Sequence, residues 1–556
     1  MLSLQTRHAT TSSSLQPDTL AAVQNLSDGS TARRLRWWMA FTLYLAAGMY
    51  LMYPLNLLAG DAVSRVANAY YVLFSSQPHL GAIGFIWNPL PSLLALPLVV
   101  LHPWLPDVVS KGLAGTVVSA AFGAFGVNGL YDALGQLGLG SRWRWLAVGV
   151  YAFNPLVVLY GANGMTDLML ATCVIGATSG VLSYTSHLKL KPLVGAAIWL
   201  VIGFGVRYEA IPLGFGLAAG LAASLWGRVS LRQIEGAVVL LLAPLAWSAG
   251  IWIYFNAIIM KNPLYFLNSD YGNLAQIATG AYFSHPLAAA RHSLVGTLSY
   301  LGHFTLLFWP LDLGVAVAAY YLFGRRRDPR APVLLGALVG SEALEAAFLY
   351  LGHLGQWDRY FINYLPMGVL LASFAWVKLS SAKRQWARWG IGILFPLILL
   401  SGDVGTVITL NSRGWGYDDG LRLSYAFSAL RGQHPPTPPA GLDLYEGLQP
   451  LVSYLDAHPH LHVLADSFID FPVLILAHNL NQFVITSDYD FHSILDNPRG
   501  RVDAILVPRP AGVATLDAVN RTWPGLWAGK VPWATLIRSF PGGNEYRLYR
   551  VGPNAP

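Results

Sequence analysis

The chain has 556 residues, of which 54% are hydrophobic, 13% aromatic and only 11% charged, with a net charge of +7. Apolar runs long enough to cross a bilayer, about 20 residues each, recur from Trp37 to about residue 408 and exclude a soluble globule. The positive balance does not point to nucleic acid: Arg33-Arg34-Leu35-Arg36, Arg325-Arg326-Arg327 and Lys383-Arg384 lie in short loops between apolar runs, as inside topology signals do.

Residues 1–32 are polar, and their composition predicts a disordered cytosolic tail. The first apolar run, about 37–57, starts too late and continues too long for a cleaved signal peptide, so it is expected to remain as a span. It delivers Asp61 to the outer face. Val63, Val66, Ala67, Tyr70, Tyr71 and Phe74 then recur at helical spacing, which predicts an amphipathic helix lying in the interface plane. Together with the loop that follows, it forms an outer loop over 58–88.

Residues 86–140 admit two readings. A short run broken by Pro89, Pro91, Pro97, Pro103 and Pro106 precedes a longer run ending at Leu139. If both cross, Arg142 and Arg144 fall outside; if one crosses, they fall inside. Farther on, runs alternate between Asn163-Gly-Met-Thr-Asp167 outside, Lys189 and Lys191 inside, Arg207-Tyr208-Glu209 outside and Arg228 and Arg232 inside. A loop containing Asp270 and Tyr271, and later Asp358-Arg359-Tyr360, return to the outer face. The fold class read from this pattern is mainly α: a polytopic transmembrane helical bundle of 11–13 spans over 33–410.

Residues 411–440, with Pro435-Pro436-Thr-Pro438-Pro439, read as a stiff linker. Beyond it, His462–Asp466, Phe483–Thr486, Asp503–Pro508 and Ala534–Arg538 are short apolar runs bounded by turn residues, as buried strands are. Leu451–Ala457 and Pro472–Ala477 fit intervening helices. This predicts a small extracytoplasmic α/β domain over 441–556 that shapes acceptor access.

Polar and ionisable residues therefore gather on one face: Asp61, Arg65, His79, Asp167, Arg207, Tyr208, Glu209, Asp358, Arg359 and Tyr360. Carboxylates beside arginines suit transfer of a group from a lipid phosphate. Arginine grips phosphate bidentately, and a carboxylate takes the proton of an attacking hydroxyl. The lone Cys173 excludes an intrachain disulfide and a CxxC site. No P-loop or GxGxxG follows a predicted strand, which argues against a nucleotide-driven pump. A transporter or flippase would draw instead on Asp312, Glu342 and Glu345, and a non-catalytic scaffold would use the tail to bind glycans.

Four segments resemble the GT-C membrane glycosyltransferases, especially relatives of the protein O-mannosyltransferases and the lipid A aminoarabinose transferases. They are Gly60-Asp61 before its helix, Asn88-Pro89-Leu-Pro91, Asn154-Pro155 with Asn163–Asp167, and Asp358-Arg359-Tyr360-Phe-Ile-Asn-Tyr-Leu-Pro366. The resemblance implies inverting transfer of a sugar from a polyprenyl-phosphate donor to a cell-envelope acceptor, in an inner-membrane protein whose N-terminus is cytoplasmic. It assigns Asp61 as base, Asp167 as second carboxylate and Arg359 as phosphate clamp. Arg65, His79, Asn88, Arg207, Tyr208, Glu209, Asp358 and Tyr360 would line the substrate. Membrane lipids are the remaining expected partners. Many relatives carry a second acid after the aspartate, where this chain has Ala62, which weakens the case for a metal bridging two adjacent carboxylates; no cofactor is assigned and a divalent cation is left open.

Overall fold

The computed structural model describes residues 17–281, 284–324, 327–380, 385–412, 419–433, 438, 441–543 and 545–552. Residues 1–16 of the expected tail, Arg325, Arg326, Lys383, Arg384 and most of the proline run after Gln433 lie outside the described residues. The first helix, α1 (Pro17–Met52), already begins within the stretch read as a tail. At 36 residues and about 1.5 Å rise per residue, it is longer than a bilayer is thick.

After a short turn, α2 (Gly60–Phe74) places Asp61 in its first turn and buries Val63, Val66, Ala67, Tyr70 and Tyr71 on one face. The proline-rich segment that follows does not cross. Its helix α3 (Leu90–Val99) has only 10 residues and joins α2 in one core cluster, through Ala95 and Val99. The crossing is made by α4 (Leu113–Gln136). Arg142 and Arg144 therefore fall at the same end as Arg36: the Arg36 and Arg144 guanidinium carbons lie 3.8 and 4.5 Å from the Tyr131 ring centre.

Six helices among the described residues are long and apolar enough to span, or up to eight if each of two bent pairs is one span. That is below the 11–13 read from hydropathy. The difference lies in short segments such as α3, α6 (Leu190–Val206) and α7 (Ala210–Leu225), which are apolar but have fewer than 18 residues. One bent pair turns by 62° between Phe153 and Pro155, where proline cannot continue the preceding helix. Asn154 caps the new helix by accepting from the Leu156 amide at 3.0 Å.

The tightest helix pair is α7 with α8 (Arg330–Leu351). A Cβ on Gly216 would strike the Gly336 carbonyl, and one on Gly340 would lie 2.7 Å from the Pro212 carbonyl. Small residues of this kind let helix backbones approach in lipid. The other bundle helices used below are α5 (Asp167–His187) and α9 (Tyr364–Ser380). The segment read as a linker holds a further helix, α10 (Asp419–Leu430), which buries Asp419, Gly420, Tyr425 and Ala426.

The C-terminal sheet has the order β2-β1-β3-β5-β4. Strands β1 (Val463–Ala465), β2 (Phe483–Ile485) and β3 (Ala504–Pro508) are parallel; β4 (Ala534–Phe540) and β5 (Tyr546–Val551) complete it antiparallel. Strand β5 lies beyond the runs read as strands. A helix, α11 (Ser467–Leu476), follows β1. Val473, Leu474, Phe483 and Tyr546 share one core cluster with Val63, Tyr70 and Tyr71 of α2. The sheet is thus seated on the helix that carries Asp61.

Candidate active site

Asp61 and Asp167 each stand in the first turn of a helix, where the exposed amides favour negative charge. From two helices about a hundred residues apart in sequence they reach one polar cluster. The Arg359 Nη2 atom donates to Asp61 Oδ2 at 3.0 Å. Arg207 Nη1 donates to Asp167 Oδ1 at 2.8 Å, and the same guanidinium binds Glu209. The Tyr360 ring lies between the two arginines, 5.6 Å from the Arg207 guanidinium carbon and 5.7 Å from that of Arg359. Arg359 also lies 4.9 Å from the Trp357 ring centre, which restricts where its fork can point.

Exposure separates the two ion pairs. The Asp61 side chain is 41% exposed and Asp167 only 1%. Asp61 therefore meets the open side, while Asp167 and Glu209 hold Arg207 from within. Burial would raise the Asp61 carboxyl, but Arg359 and Arg65 outweigh it and hold it below the usual aspartate range.

Arg65 differs from the other two arginines. It donates to the Asp61 backbone carbonyl at 3.1 Å and lies 4.4 Å from the Trp87 ring centre. It makes no carboxylate ion pair among the described residues, and its Nε atom, like that of Arg359, is buried without a partner. Burial lowers its guanidinium to about 10, against the pull of Asp61, so it remains a cation at neutral pH. Three arginines and three carboxylates balance, yet Arg65 is paired with none of the carboxylates among the described residues.

Other residues of the predicted set are placed differently. Asn88 donates to the Phe204 carbonyl, fixing the start of α3 against the end of α6. Tyr208 donates to the Ile86 carbonyl at 3.1 Å and accepts from Trp252 at 3.1 Å. His79 stacks on Tyr489 of the C-terminal domain with ring centres 4.5 Å apart. Asp358 turns away from its neighbour Arg359; it is 1% exposed, with both oxygens unpartnered. Glu342 and Glu345 are buried inside α8, while Asp312 accepts from Thr305 at 3.1 Å beside a helix start.

One buried acid was not foreseen. Asp419, in the first turn of α10, accepts from the Tyr160 hydroxyl through both oxygens at 2.9 and 2.8 Å. Burial pushes its carboxyl up to about 6, against the Tyr160 hydrogen bond and the Arg359 charge. Its only sequence signal is the acid pair Asp418-Asp419 in a segment otherwise read as linker.

No family model matches the chain, and no curated protein sequence matches it. Solved structures do. ArnT from Cupriavidus metallidurans bound to undecaprenyl phosphate is similar at 11% identity and a TM-score of 0.53, over 94% of this chain and 99% of that one. The apo state of ArnT gives a TM-score of 0.52 at 11% identity, over 96% and 100%. The archaeal oligosaccharyltransferase AglB from Archaeoglobus fulgidus covers 84% of this chain and 69% of its own at 12% identity, with a TM-score of 0.46. At the ArnT level of similarity the shared property is the fold: the chain has the GT-C architecture over nearly its whole length.

Proposed function

We propose that this GT-C chain is an integral membrane glycosyltransferase that moves a sugar from a polyprenyl-phosphate donor to a hydroxyl of a cell-envelope acceptor. The observation that carries the reading is the half-open Asp61 beside Arg359 and Arg65. The fold shared with ArnT, a structure of which holds undecaprenyl phosphate, supports a polyprenyl-phosphate donor.

In this reading the acceptor hydroxyl attacks the anomeric carbon from the face opposite the phosphate, with inversion. Asp61 takes the hydroxyl proton as the new C–O bond forms. The bond from the anomeric carbon to the phosphate oxygen breaks, and its electron pair leaves with the polyprenyl phosphate. Donor phosphodiester carries one negative charge and the released phosphate two. Protonation of Asp61 removes one negative charge as the leaving group gains one, so the cluster keeps its total charge through the step. Arg65 binds the phosphate, and Arg359 turns from Asp61 to the leaving oxygens. Arg207, already held by two carboxylates, braces the cluster.

Asp61 would face the extracytoplasmic side, because the Arg33–Arg36 end of α1 is the basic, inner one. Among the described residues there is no group of three or more His, Cys, Asp or Glu side chains placed to hold a metal ion. The test supplies purified protein with radiolabelled polyprenyl-phosphate sugars and a mixed envelope-glycan acceptor. Transfer by the wild type and none by Asp61→Asn is the expected result; no transfer from any polyprenyl-phosphate sugar would overturn the reading.

A further inference from the structure

A cavity opens between α1, α4, α5 and α6, at the end of the bundle away from Asp61. Along α1 alone, Arg33 lies 19 residues from Met52, roughly 28 Å of helix. The cavity volume is about 440 Å³, within the range of roughly 300–1,000 Å³ usual for small-molecule sites. Arg33, Arg34 and Asn128 line one part of it, and Trp37, Phe125 and Trp199 another.

The space has a structural origin. The Trp199 ring lies against Gly176, where a Cβ would come within 2.6 Å of it. Trp37 is held on the opposite wall by stacking on Phe41 at 5.0 Å and by an edge contact with Phe125 at 5.6 Å. The basic end is also fixed. Arg36 is buried and donates through Nε to Asn128 Oδ1 at 3.0 Å, and the Asn128 amide donates to the Arg33 carbonyl at 3.1 Å. Arg33 faces Asp132 at 3.4 Å, but the two side chains are 63% and 41% exposed, so this pair is screened and weak. Arg34 has no ion-pair partner among the described residues. With Arg36 and Arg144 behind, positive charge exceeds negative at this mouth.

We propose that this cavity binds an anionic glycerophospholipid from the leaflet at the basic end of the bundle. One acyl chain lies along Trp37, Phe125 and Trp199, and the phosphate meets Arg33 and Arg34. An aromatic trough that ends in uncompensated arginines matches a lipid with an acidic headgroup better than a neutral one. The site is separate from the Asp61 cluster, and no chemistry is assigned to it.

The test is native mass spectrometry of the full chain in detergent, titrated with phosphatidylglycerol, phosphatidylcholine of the same acyl chains, or inorganic phosphate. Phosphatidylglycerol should be retained at least tenfold better than phosphatidylcholine, because basic residues attract an anionic headgroup. Arg33→Gln with Arg34→Gln should erase that preference without altering sugar transfer. Gly129→Leu, which adds bulk to the cavity lining beside Ile175, should lower retention of both lipids at an unchanged melting temperature. Equal retention of the two lipids by the wild type would overturn the proposal, as would a preference that survives the double substitution. So would displacement of the lipid by inorganic phosphate alone, or a preference that emerges only once residues 1–28 are removed, which would make the chain's own N-terminal segment the occupant.

Discussion

At the scale of single residues, the site depends on how unlike its surroundings it is. In a chain with 11% charged residues, Asp61, Asp167, Arg207 and Arg359 stand out in the sequence, and all four meet in the structure. What the sequence hid was direction. Asp358 and Arg359 are neighbours, yet a helical turn sends one inward and the other to Asp61. His79 and Asn88 are visible as polar residues in an outer loop, but the partners that absorb them lie more than a hundred residues away. Asp61→Asn is expected to lower sugar transfer by about 10²–10⁴ while leaving folding intact, because the amide cannot accept the proton; kcat with the folded protein at matched Tm checks this. Arg359→Lys should recover little of the donor affinity lost in Arg359→Ala. Lysine offers neither the flat fork nor the stacking on Trp357 and Tyr360, and donor titration of the two variants would reveal a recovery if that view is wrong.

At the scale of elements, helical periodicity and proline placement were readable, and length was not. The amphipathic stripe over Val63–Phe74 became α2, and four of the five strands of the C-terminal sheet correspond to apolar runs bounded by turn residues. By length and composition fewer helices qualify as spans than the hydropathy pattern suggests, because α3, α6 and α7 are apolar but have fewer than 18 residues. The α7–α8 seam was not legible, since glycines at 216, 220, 336 and 340 acquire meaning only when two helices meet. Gly216→Ala should force these helices apart and destabilise the bundle by about 1–3 kcal/mol, the usual cost of overpacking. A Gly227→Ala control, at a position with open space around its Cα, is strained by its φ of +72° and so separates backbone strain from collision. Thermal unfolding in detergent would contradict the seam if Gly216→Ala melted like the wild type.

At the scale of the whole molecule, the C-terminal domain is bound to the bundle by packing and by polar contacts. Asp466, buried at the end of β1, accepts from Tyr271 at 3.0 Å and Thr486 at 2.7 Å. Asp470 and Asp517 lie close by, and burial, then repulsion from the neighbouring aspartates, raises both well above the usual range. A carboxyl whose folded pKa is raised favours the folded state while protonated, and that contribution is lost as pH rises from the ordinary aspartate value through the raised one. The domain should therefore melt at a lower temperature as pH rises above about 4, and Asp470→Asn should flatten that slope. A melting temperature independent of pH over that interval, or an unchanged slope in the variant, would show that these carboxyls do not govern it. Removal of residues after 432 should also disturb α2, whose inward face is packed on the sheet.

That shared core has a consequence for biogenesis. Asp61 is made early, but the strands that seat its helix are made near the end of synthesis. At about 5–20 residues per second, some tens of seconds separate the two. During that interval the apolar stripe of α2 has α3 to pack on but not the sheet, so every molecule passes through a stage in which its site is unfinished. The surroundings of Asp61 are complete only when Arg359 from the bundle and the sheet beneath α2 are both in place.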